Sequence, residues 1–261
     1  SFELLKLTGE ASYADEIERT LYNALLCGMS PDGTWGLRRL RFSHLHVPSP
    51  QHCNLEHHHC CLDNLPRGLL QAAHMALMQD EDGLVLALYN PGRGRGTAPS
   101  GRPVGVRITG CYPEEGHVRI GFALEEPERF TLKLRIPSWS ERTRIAVNGR
   151  DTGPASSGGW KGLARTWKSG DRIDIDLDMR VRVERFDPGD LHDESELVRW
   201  SRREWAGLRD LRPDPASHGL EPEDVLPHRS AVAFMRGPVL LSRDRRLGQG
   251  NVFSPLPEDP D

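Results

Sequence analysis

The chain lacks several features that would assign it to a large class of proteins. It has no apolar run near the roughly 20 residues that a membrane-spanning helix needs. Its first residues do not show the basic and then apolar pattern of a secretory signal. Positive charge is not in excess either, because the formal net charge is -4 at pH 7 over 261 residues. We therefore expect no membrane partner and no nucleic-acid partner.

Cysteine is also scarce, with five residues that are odd in number and unevenly spaced. Such a set is not typical of a disulfide framework, and it favours a reducing compartment, the cytoplasm. No internal repeat is evident. Residues 1–8 have the pattern of a helix that is already under way, so we expect the natural start of the protein to lie upstream.

The apolar spacing predicts helices in the first part of the chain, up to about residue 80. Four apolar residues recur every fourth position and would stack on one face: Tyr13, Ile17, Leu21 and Leu25. Ser12 is a candidate cap for this helix, and Gly28 a candidate end. After a long loop over residues 30–61, a second helix is predicted to open at residues 63–66 and to continue through Leu77.

After Gly83 the apolar period becomes two, which predicts strands. The runs are residues 84–89, 104–108, 118–122, 130–136, 144–147, 172–178, 231–234 and 239–241. Short alternating runs separated by turn residues are typical of β-sandwiches. We interpret residues 92–96, Gly-Arg-Gly-Arg-Gly, as a flexible hairpin tip rather than as a phosphate or RNA contact. The predicted division is 1–80 helical, 81–182 a β-sandwich, and 183–261 a second, incomplete β-sandwich segment.

The densest group of chemically active side chains is the segment from His52 to Cys61, with the order His-Cys-Asn-Leu-Glu-His-His-His-Cys-Cys. Zinc is the metal that this set suits best, although the spacing is not that of a zinc finger. A helix N-terminus and a bound cation would both favour the thiolate form of the adjacent Cys60 and Cys61. The alternative is that both cysteines are small buried apolar residues and the histidines lie on a solvated loop. The pattern alone leaves the two readings open.

Several blocks of the sequence resemble, in order and spacing, the β-L-arabinofuranosidase family, glycoside hydrolase family 127. The helical blocks are residues 13–23, 31–33 and 60–67, the last reading Cys-Cys-Leu-Asp-Asn-Leu-Pro-Arg. Similar blocks in the β region are residues 109–113, 134–139, 147–149, 165–171 and 236–238. The paired cysteines with the following Asn-x-x-Arg are the most specific of these.

The resemblance implies an α+β multidomain protein in which the end of an (α/α)6 barrel is followed by β-sandwich domains. It implies retaining, exo-type hydrolysis of a β-L-arabinofuranoside or a related sugar, with Zn2+ as the cofactor. Cys60 would be the catalytic nucleophile, and Cys60 and Cys61 would both be metal ligands. Glu18 matches a carboxylate that contacts the sugar. The partners implied are an oligosaccharide or glycoside substrate and, through the β-domains, a second copy in a homodimer.

The chain departs from the family pattern in three ways. The Glu-x-Cys pair that completes the zinc site does not occur in the sequence, and the proton donor is expected upstream, so we expect the chain alone to be inactive. Residues 35–38, Trp-Gly-Leu-Arg, lack a tyrosine expected to face the substrate, so the sugar can differ. His58 and His59 replace a cysteine-containing version and are candidates for substrate contact or an extra metal ligand, against a solvated loop.

Two other functions remain open at this stage. In one, the β-domains form a non-catalytic carbohydrate-binding or structural module and the cysteine pair is inert. In the other, the same barrel supports a zinc-dependent lyase or isomerase, since a fold alone does not select a reaction. Zinc binding would distinguish a hydrolase from the non-catalytic module. A covalent sugar on Cys60 would exclude the lyase or isomerase.

Overall fold

The structure is a computed structural model that describes residues 1–26, 28–29, 60–185 and 232–241, with the main chain alone at 60–63 and 232. It contains helices at the beginning and three sheets after them. Within the described ranges, none of the helices has the length and apolar character needed to cross a membrane.

The helical part contains α1, Phe2–Thr8, α2, Ala11–Arg19, and α3, Cys60–Ala76. A π-helical segment, Thr20–Leu25, continues α2. This segment interrupts the four-residue stacking predicted from the apolar spacing, although Ile17 and Leu21 are both buried as expected. Gly28 lies just beyond it and donates its N–H to the carbonyl of Leu25 at 3.0 Å.

Two predicted helix starts are wrong. Ser12 lies inside α2, whose N-cap is Glu10 without a side-chain capping bond. The second helix begins at Cys60 rather than at Asp63, so Pro66 lies within α3 instead of in its first turn. A proline in the second turn still removes one main-chain hydrogen bond. Burial of the apolar face of α3 against α2 and the π-helical segment outweighs that local preference.

Thirteen strands follow the helices in the described ranges. They are β1, Leu77–Asp80; β2, Gly83–Leu86; β3, Gly92–Thr97; β4, Pro103–Gly110; β5, His117–Ala123; β6, Glu128–Ile136; β7, Arg144–Val147; β8, Arg150–Asp151; β9, Gly159–Trp167; β10, Arg172–Asp176; β11, Val181–Arg185; β12, Val232–Arg236; and β13, Val239–Leu241. All eight predicted strand runs overlap one of these. The strands β1, β3, β8, β9 and β11 were not predicted.

The strands form a four-stranded sheet in the order β1-β2-β6-β9 and a six-stranded sheet in the order β3-β4-β5-β10-β7-β8. Apolar residues from both sheets meet in one core around the fully buried Trp167. This two-layer packing is the arrangement that the alternating runs predict. A third sheet, β11-β12-β13, is tied to the helices by Asn23, whose side-chain amide donates to the carbonyl of Pro238 at 2.9 Å.

The interpretation of residues 92–96 as a hairpin tip is wrong. They form β3, an edge strand that pairs with β4 from Gly92↔Ile108 to Thr97↔Pro103. Gly94 and Gly96 face inward, where an added Cβ would lie 2.8 Å from Leu77 and 2.5 Å from Leu84. The glycines therefore make room for the side chains of β1 and β2, and the alternating arginines face outward.

The helices pack on the outer face of the four-stranded sheet, on the side away from the six-stranded sheet. Apolar residues of α1 and α2 meet Ala87 and Leu88, which follow β2, in a second core. The indole N–H of Trp160 on β9 donates to the carbonyl of Gly9 at 2.8 Å. The molecule is thus layered, with helices over the four-stranded sheet and the four-stranded sheet over the six-stranded one.

Candidate active site

The helix that carries the predicted nucleophile is held by its apolar face. Its residues Leu69, Ala72 and Met75 pack in the core that contains Ile17 and Leu21. Gly68 lets the helix approach the π-helical segment, because an added Cβ there would lie 2.9 Å from the side chain of Leu25. The main chain of α3 starts at Cys60 and continues through Cys61, so both cysteines occupy the first turn of a helix that is fixed against α2 and the π-helical segment.

Of the predicted site residues, only Glu18 has a described side chain. The side chains of Cys60 and Cys61, and all of His58 and His59, lie outside the described residues. Within the described part no group of three or more His, Cys, Asp or Glu side chains is arranged to hold a metal ion. Cys111 is described, and it is a free and exposed thiol. The ligand and nucleophile assignments therefore stay predictions.

Glu18 lies at the centre of a buried polar cluster between α2 and the four-stranded sheet. Its side chain is 0% exposed. The Tyr112 hydroxyl donates to Oε1 at 2.5 Å, and the Trp139 indole N–H donates to Oε2 at 3.2 Å. The guanidinium of Arg135, also 0% exposed, forms an ion pair with Oε1 at 2.6 Å. In this arrangement no part of the carboxylate faces solvent, and contact between Glu18 and a sugar stays a prediction.

Arg135 connects the cluster to a second carboxylate and to the main chain. It forms an ion pair with Asp15, whose other oxygen accepts the N–H of Ser138 at 3.1 Å. Its Nε donates to the carbonyl of Ala87 at 2.6 Å. The carbonyl of Arg135 accepts a hydrogen bond from the hydroxyl of Tyr89. One strand residue therefore binds α2 at two carboxylates one helical turn apart, as their i, i+3 spacing places them on one face.

The surroundings of the cluster shift the pKa values of its tyrosines and of its arginine. Burial raises the pKa of Tyr112 well above its ordinary value, and the charge of Glu18 raises it further. Burial also raises the pKa of Tyr89. The charge of Arg135 acts to lower this pKa and the charge of Glu18 acts to raise it, and the net effect is a rise. For Arg135, burial acts to lower the pKa, but Glu18 and the other neighbours raise it overall. The tyrosines thus stay neutral and the guanidinium stays charged.

Reasoning from the sequence did not place Arg135, Tyr112, Trp139 or Asp15 in this cluster; Trp139 was considered only as one of several tryptophans that could stack on a sugar or lie in the core. All four lie inside the sequence blocks that carry the resemblance. Two signals could have indicated the cluster: an arginine inside the apolar run of β6, and aromatic residues with polar atoms next to turns. Neither signal names the partner, because Asp15 and Arg135 are 120 positions apart in the chain.

Two sequence models of known families match the chain, one over the helical part and one over the β-sheet part. Residues 1–73 match the sequence model of the β-L-arabinofuranosidase GH127 catalytic domain, and residues 83–179 match that of the GH127 middle domain. Together the two models of one family cover more than half of the chain, in consecutive order. The chain belongs to glycoside hydrolase family 127.

Solved structures support the fold of this GH127 chain. One described as a glycoside hydrolase superposes with a TM-score of 0.67 at 24% identity, covering 92% of this chain and 35% of the other. A GH127 β-L-arabinofuranosidase from Geobacillus stearothermophilus T6 gives 0.61 at 24% identity, covering 91% and 33%. A further GH127 β-arabinofuranosidase gives 0.62 at 23%, covering 91% and 34%.

The GH127 chain spans about a third of the length of these solved structures. At such identities the likeness concerns the fold alone, which is mostly β-sheet with few helices. No curated protein sequence matches the chain.

Proposed function

We propose that this chain is the part of a retaining glycoside hydrolase that carries the nucleophile, acting on the non-reducing end of a β-L-arabinofuranoside or a related sugar. The observation that carries the proposal is that the match to the GH127 catalytic domain, residues 1–73, contains the adjacent Cys60 and Cys61 at the start of α3. The helical part is proposed to be the end of an (α/α)6 barrel whose other helices belong to the two thirds of the related structures that the chain does not span.

In the proposed reaction the thiolate of Cys60 attacks the anomeric carbon. A carbon–sulfur bond forms as the carbon–oxygen bond of the glycoside breaks, and a carboxylic acid outside this chain gives its proton to the leaving oxygen. Water then attacks the same carbon, the bond to sulfur breaks, and the configuration is retained. Two displacements at one carbon require that Cys60 keep one position throughout, and the helix that begins at Cys60 is held in the core by Leu69, Ala72 and Met75.

The donor chemistry of the paired cysteines fits zinc, since thiolate sulfur is a preferred ligand of that metal. Cys60 and Cys61 are the residues of this chain that would hold it. A bound zinc ion supplies positive charge that favours thiolate over thiol. The positive end of α3, a helix of 17 residues, acts in the same direction at its first residue.

Glu18, His58 and His59 are the proposed substrate contacts of this chain. Glu18 is held on α2, beside the π-helical segment that packs against α3. His58 and His59 directly precede Cys60 in the sequence, and neutral or protonated imidazole can donate hydrogen bonds to sugar hydroxyls. Since the sequence has no Glu-x-Cys segment to complete the ligand set, the chain alone is proposed to be inactive.

The test is intact-protein mass spectrometry of the full-length protein after incubation with an aryl β-L-arabinofuranoside. The expected result is an adduct of one pentosyl group that maps to Cys60 and is absent in Cys60→Ser. Cys111→Ser is the matched control, because Cys111 is a free exposed thiol outside the proposed site. Zinc content is measured in parallel and should fall in Cys61→Ser. Zinc bound at the cysteine pair without turnover or adduct would refute the nucleophile assignment.

A further inference from the structure

The outer face of the six-stranded sheet is strongly basic. The outward side chains of its six strands include six arginines and three aspartates (Asp151, Asp174 and Asp176), a net of three positive charges. The arginines are Arg93, Arg95, Arg107, Arg119, Arg144 and Arg172. The whole chain has a formal net charge of -4. Positive charge is therefore concentrated on one face of a molecule that is acidic overall.

The arginines of this face differ in whether they are paired with an acidic side chain. Arg119 and Arg172 each donate to Asp174, both at 2.8 Å. In contrast, Arg93, Arg95 and Arg107 are exposed, and no ion pair joins them to any acidic side chain in the described part of the chain. These three residues, which we name the arginine patch, present guanidinium groups with open donors.

The arrangement of the arginine patch does not stabilise the fold, because it brings like charges together. Arg93 and Arg107 are direct cross-strand partners in the antiparallel β3–β4 pair. Like charges in directly opposite positions destabilise a sheet. Arg95 stands on the same side of β3 only two residues away, at a spacing of about 7 Å. An anion bound between these guanidinium groups would remove the repulsion, and planar guanidinium groups pair well with carboxylates.

A position without a side chain lies beside the arginine patch on the same face of the sheet. Gly121 on β5 lies between Arg107 and Arg172 in one cross-strand row. A Cβ added to Gly121 would meet no atom within 4 Å, so the space above it is open. Two strand spacings, about 10 Å, separate the arginines on its sides. The row thus forms a floor without side chains, the Gly121 floor, with Arg107, which is unpaired within the described residues, on one side and Arg172, which is paired with Asp174, on the other.

We propose that the arginine patch and the Gly121 floor bind the carboxylates of an acidic polysaccharide, a polymer with uronic acid units. The choice of a polysaccharide rests on the proposed function, since a glycoside hydrolase meets polysaccharides, and those with uronic acid units carry carboxylates that match the charge of the arginines. A nucleic acid fits less well. No Phe, Tyr or Trp occupies an outward position on these strands for base stacking, and the molecule as a whole is acidic.

The experiment is a titration of the full-length protein with polygalacturonate at low and high salt. The triple variant Arg93→Ser/Arg95→Ser/Arg107→Ser should bind roughly tenfold more weakly, as expected for the loss of three exposed charge pairs. The matched control, Arg129→Ser/Arg142→Ser/Arg150→Ser, removes the same charge from exposed positions outside the patch and should change Kd less than about twofold. Binding should weaken with salt, and neutral arabinan should show no dependence on the patch.

Thermal unfolding verifies that the variants fold. The patch variant should melt at the same temperature as the wild-type protein or higher, because the Arg93–Arg107 repulsion is gone. Three results would overturn the proposal: no binding of polygalacturonate by the wild-type protein, an equal loss in the control, or duplex DNA binding through the same arginines as tightly as the polysaccharide. The pentosyl adduct on Cys60 is formed from a small neutral glycoside, so its presence or absence judges the proposed function separately.

Discussion

Replacement of Arg135 by methionine should destabilise the protein more than any single exposed substitution. The guanidinium is 0% exposed and pairs with Glu18 at 2.6 Å, and the Glu18 side chain is also 0% exposed. Methionine would fill the volume but leave two carboxylates next to a buried apolar group. Removal of one partner from a buried pair costs about 3–5 kcal/mol. That is a large share of the roughly 5–15 kcal/mol that stabilises a typical domain.

The assay is urea unfolding followed by circular dichroism, with the free energy of unfolding taken from a linear extrapolation. Lys133→Met is the matched control. Lys133 lies two residues earlier on the same face of β6, and its pairs with Asp80 and Asp82, at 2.6 and 2.9 Å, are about a third or more exposed. Exposed pairs of this kind contribute about 0–1 kcal/mol.

The double variant Glu18→Gln/Arg135→Met isolates the pair. If the two substitutions act through one ion pair, the double variant should be less destabilised than the sum of the single ones. Two outcomes would refute the reasoning. One is a loss in Arg135→Met no larger than in Lys133→Met, and the other is strict additivity of the two single changes.

Three further predictions concern single hydrogen bonds and main-chain positions, all measured by the same unfolding assay. Tyr112→Phe should cost about 1.5–3 kcal/mol, because a buried carboxylate loses a donor at 2.5 Å; an unchanged stability would contradict this. Gly83→Ala should cost more than about 1 kcal/mol, since φ is +150° and the new Cβ would lie 2.4 Å from a main-chain oxygen. Gly121→Ala is the control and should be nearly neutral, because a Cβ there would meet no atom within 4 Å. Asp171→Asn should destabilise the protein more at pH 7 than at pH 3; an equal loss at both would be inconsistent with a pKa of Asp171 that folding lowers.

The sign of the pH effect follows from the environment of Asp171. Burial acts to raise its pKa, but the hydrogen bonds from the Asn148 side chain and the Lys168 N–H lower the pKa below its ordinary value overall. A carboxyl group with a lower pKa in the folded state stabilises that state above the unfolded-state pKa, near 4. This stability is lost as the pH falls through the folded-state pKa.

The period of the apolar residues was sufficient to predict strands that bury one face. The runs at 118–122, 130–136 and 144–147 lie in β5, β6 and β7, where every second residue is in the core. The same rule missed β3, because its inward positions are Gly94 and Gly96. Those glycines complement Leu77 and Leu84 on neighbouring strands, which is a tertiary relationship that no local pattern contains.

The candidate site could be predicted only in part for a related reason. Cys60 and Glu18 were indicated by resemblance, and a burial pattern alone would not have selected either residue. The partners of Glu18 come from β6 and from the segments after β4 and β6, so chain folding rather than spacing brings them together. Helix propensity likewise placed the start of α3 at Asp63, whereas the helix begins at Cys60.

The enclosed and the open arginines of the β-sheets illustrate how burial decides what a charge does. Arg135 has three specific partners and no contact with water, so its charge fixes α2 on the sheet and is not available for a ligand. Arg93 and Arg107 face each other in solvent, where repulsion is weakened but not removed. Substitution of Arg135 should therefore expose amides of residues 1–26 to hydrogen exchange, because α2 loses its anchor, and leave the β5 and β10 amides protected. Substitution of Arg93 and Arg107 should leave both regions protected while it weakens binding of carboxylates. An exchange pattern that is the same for both variants would contradict this division of roles.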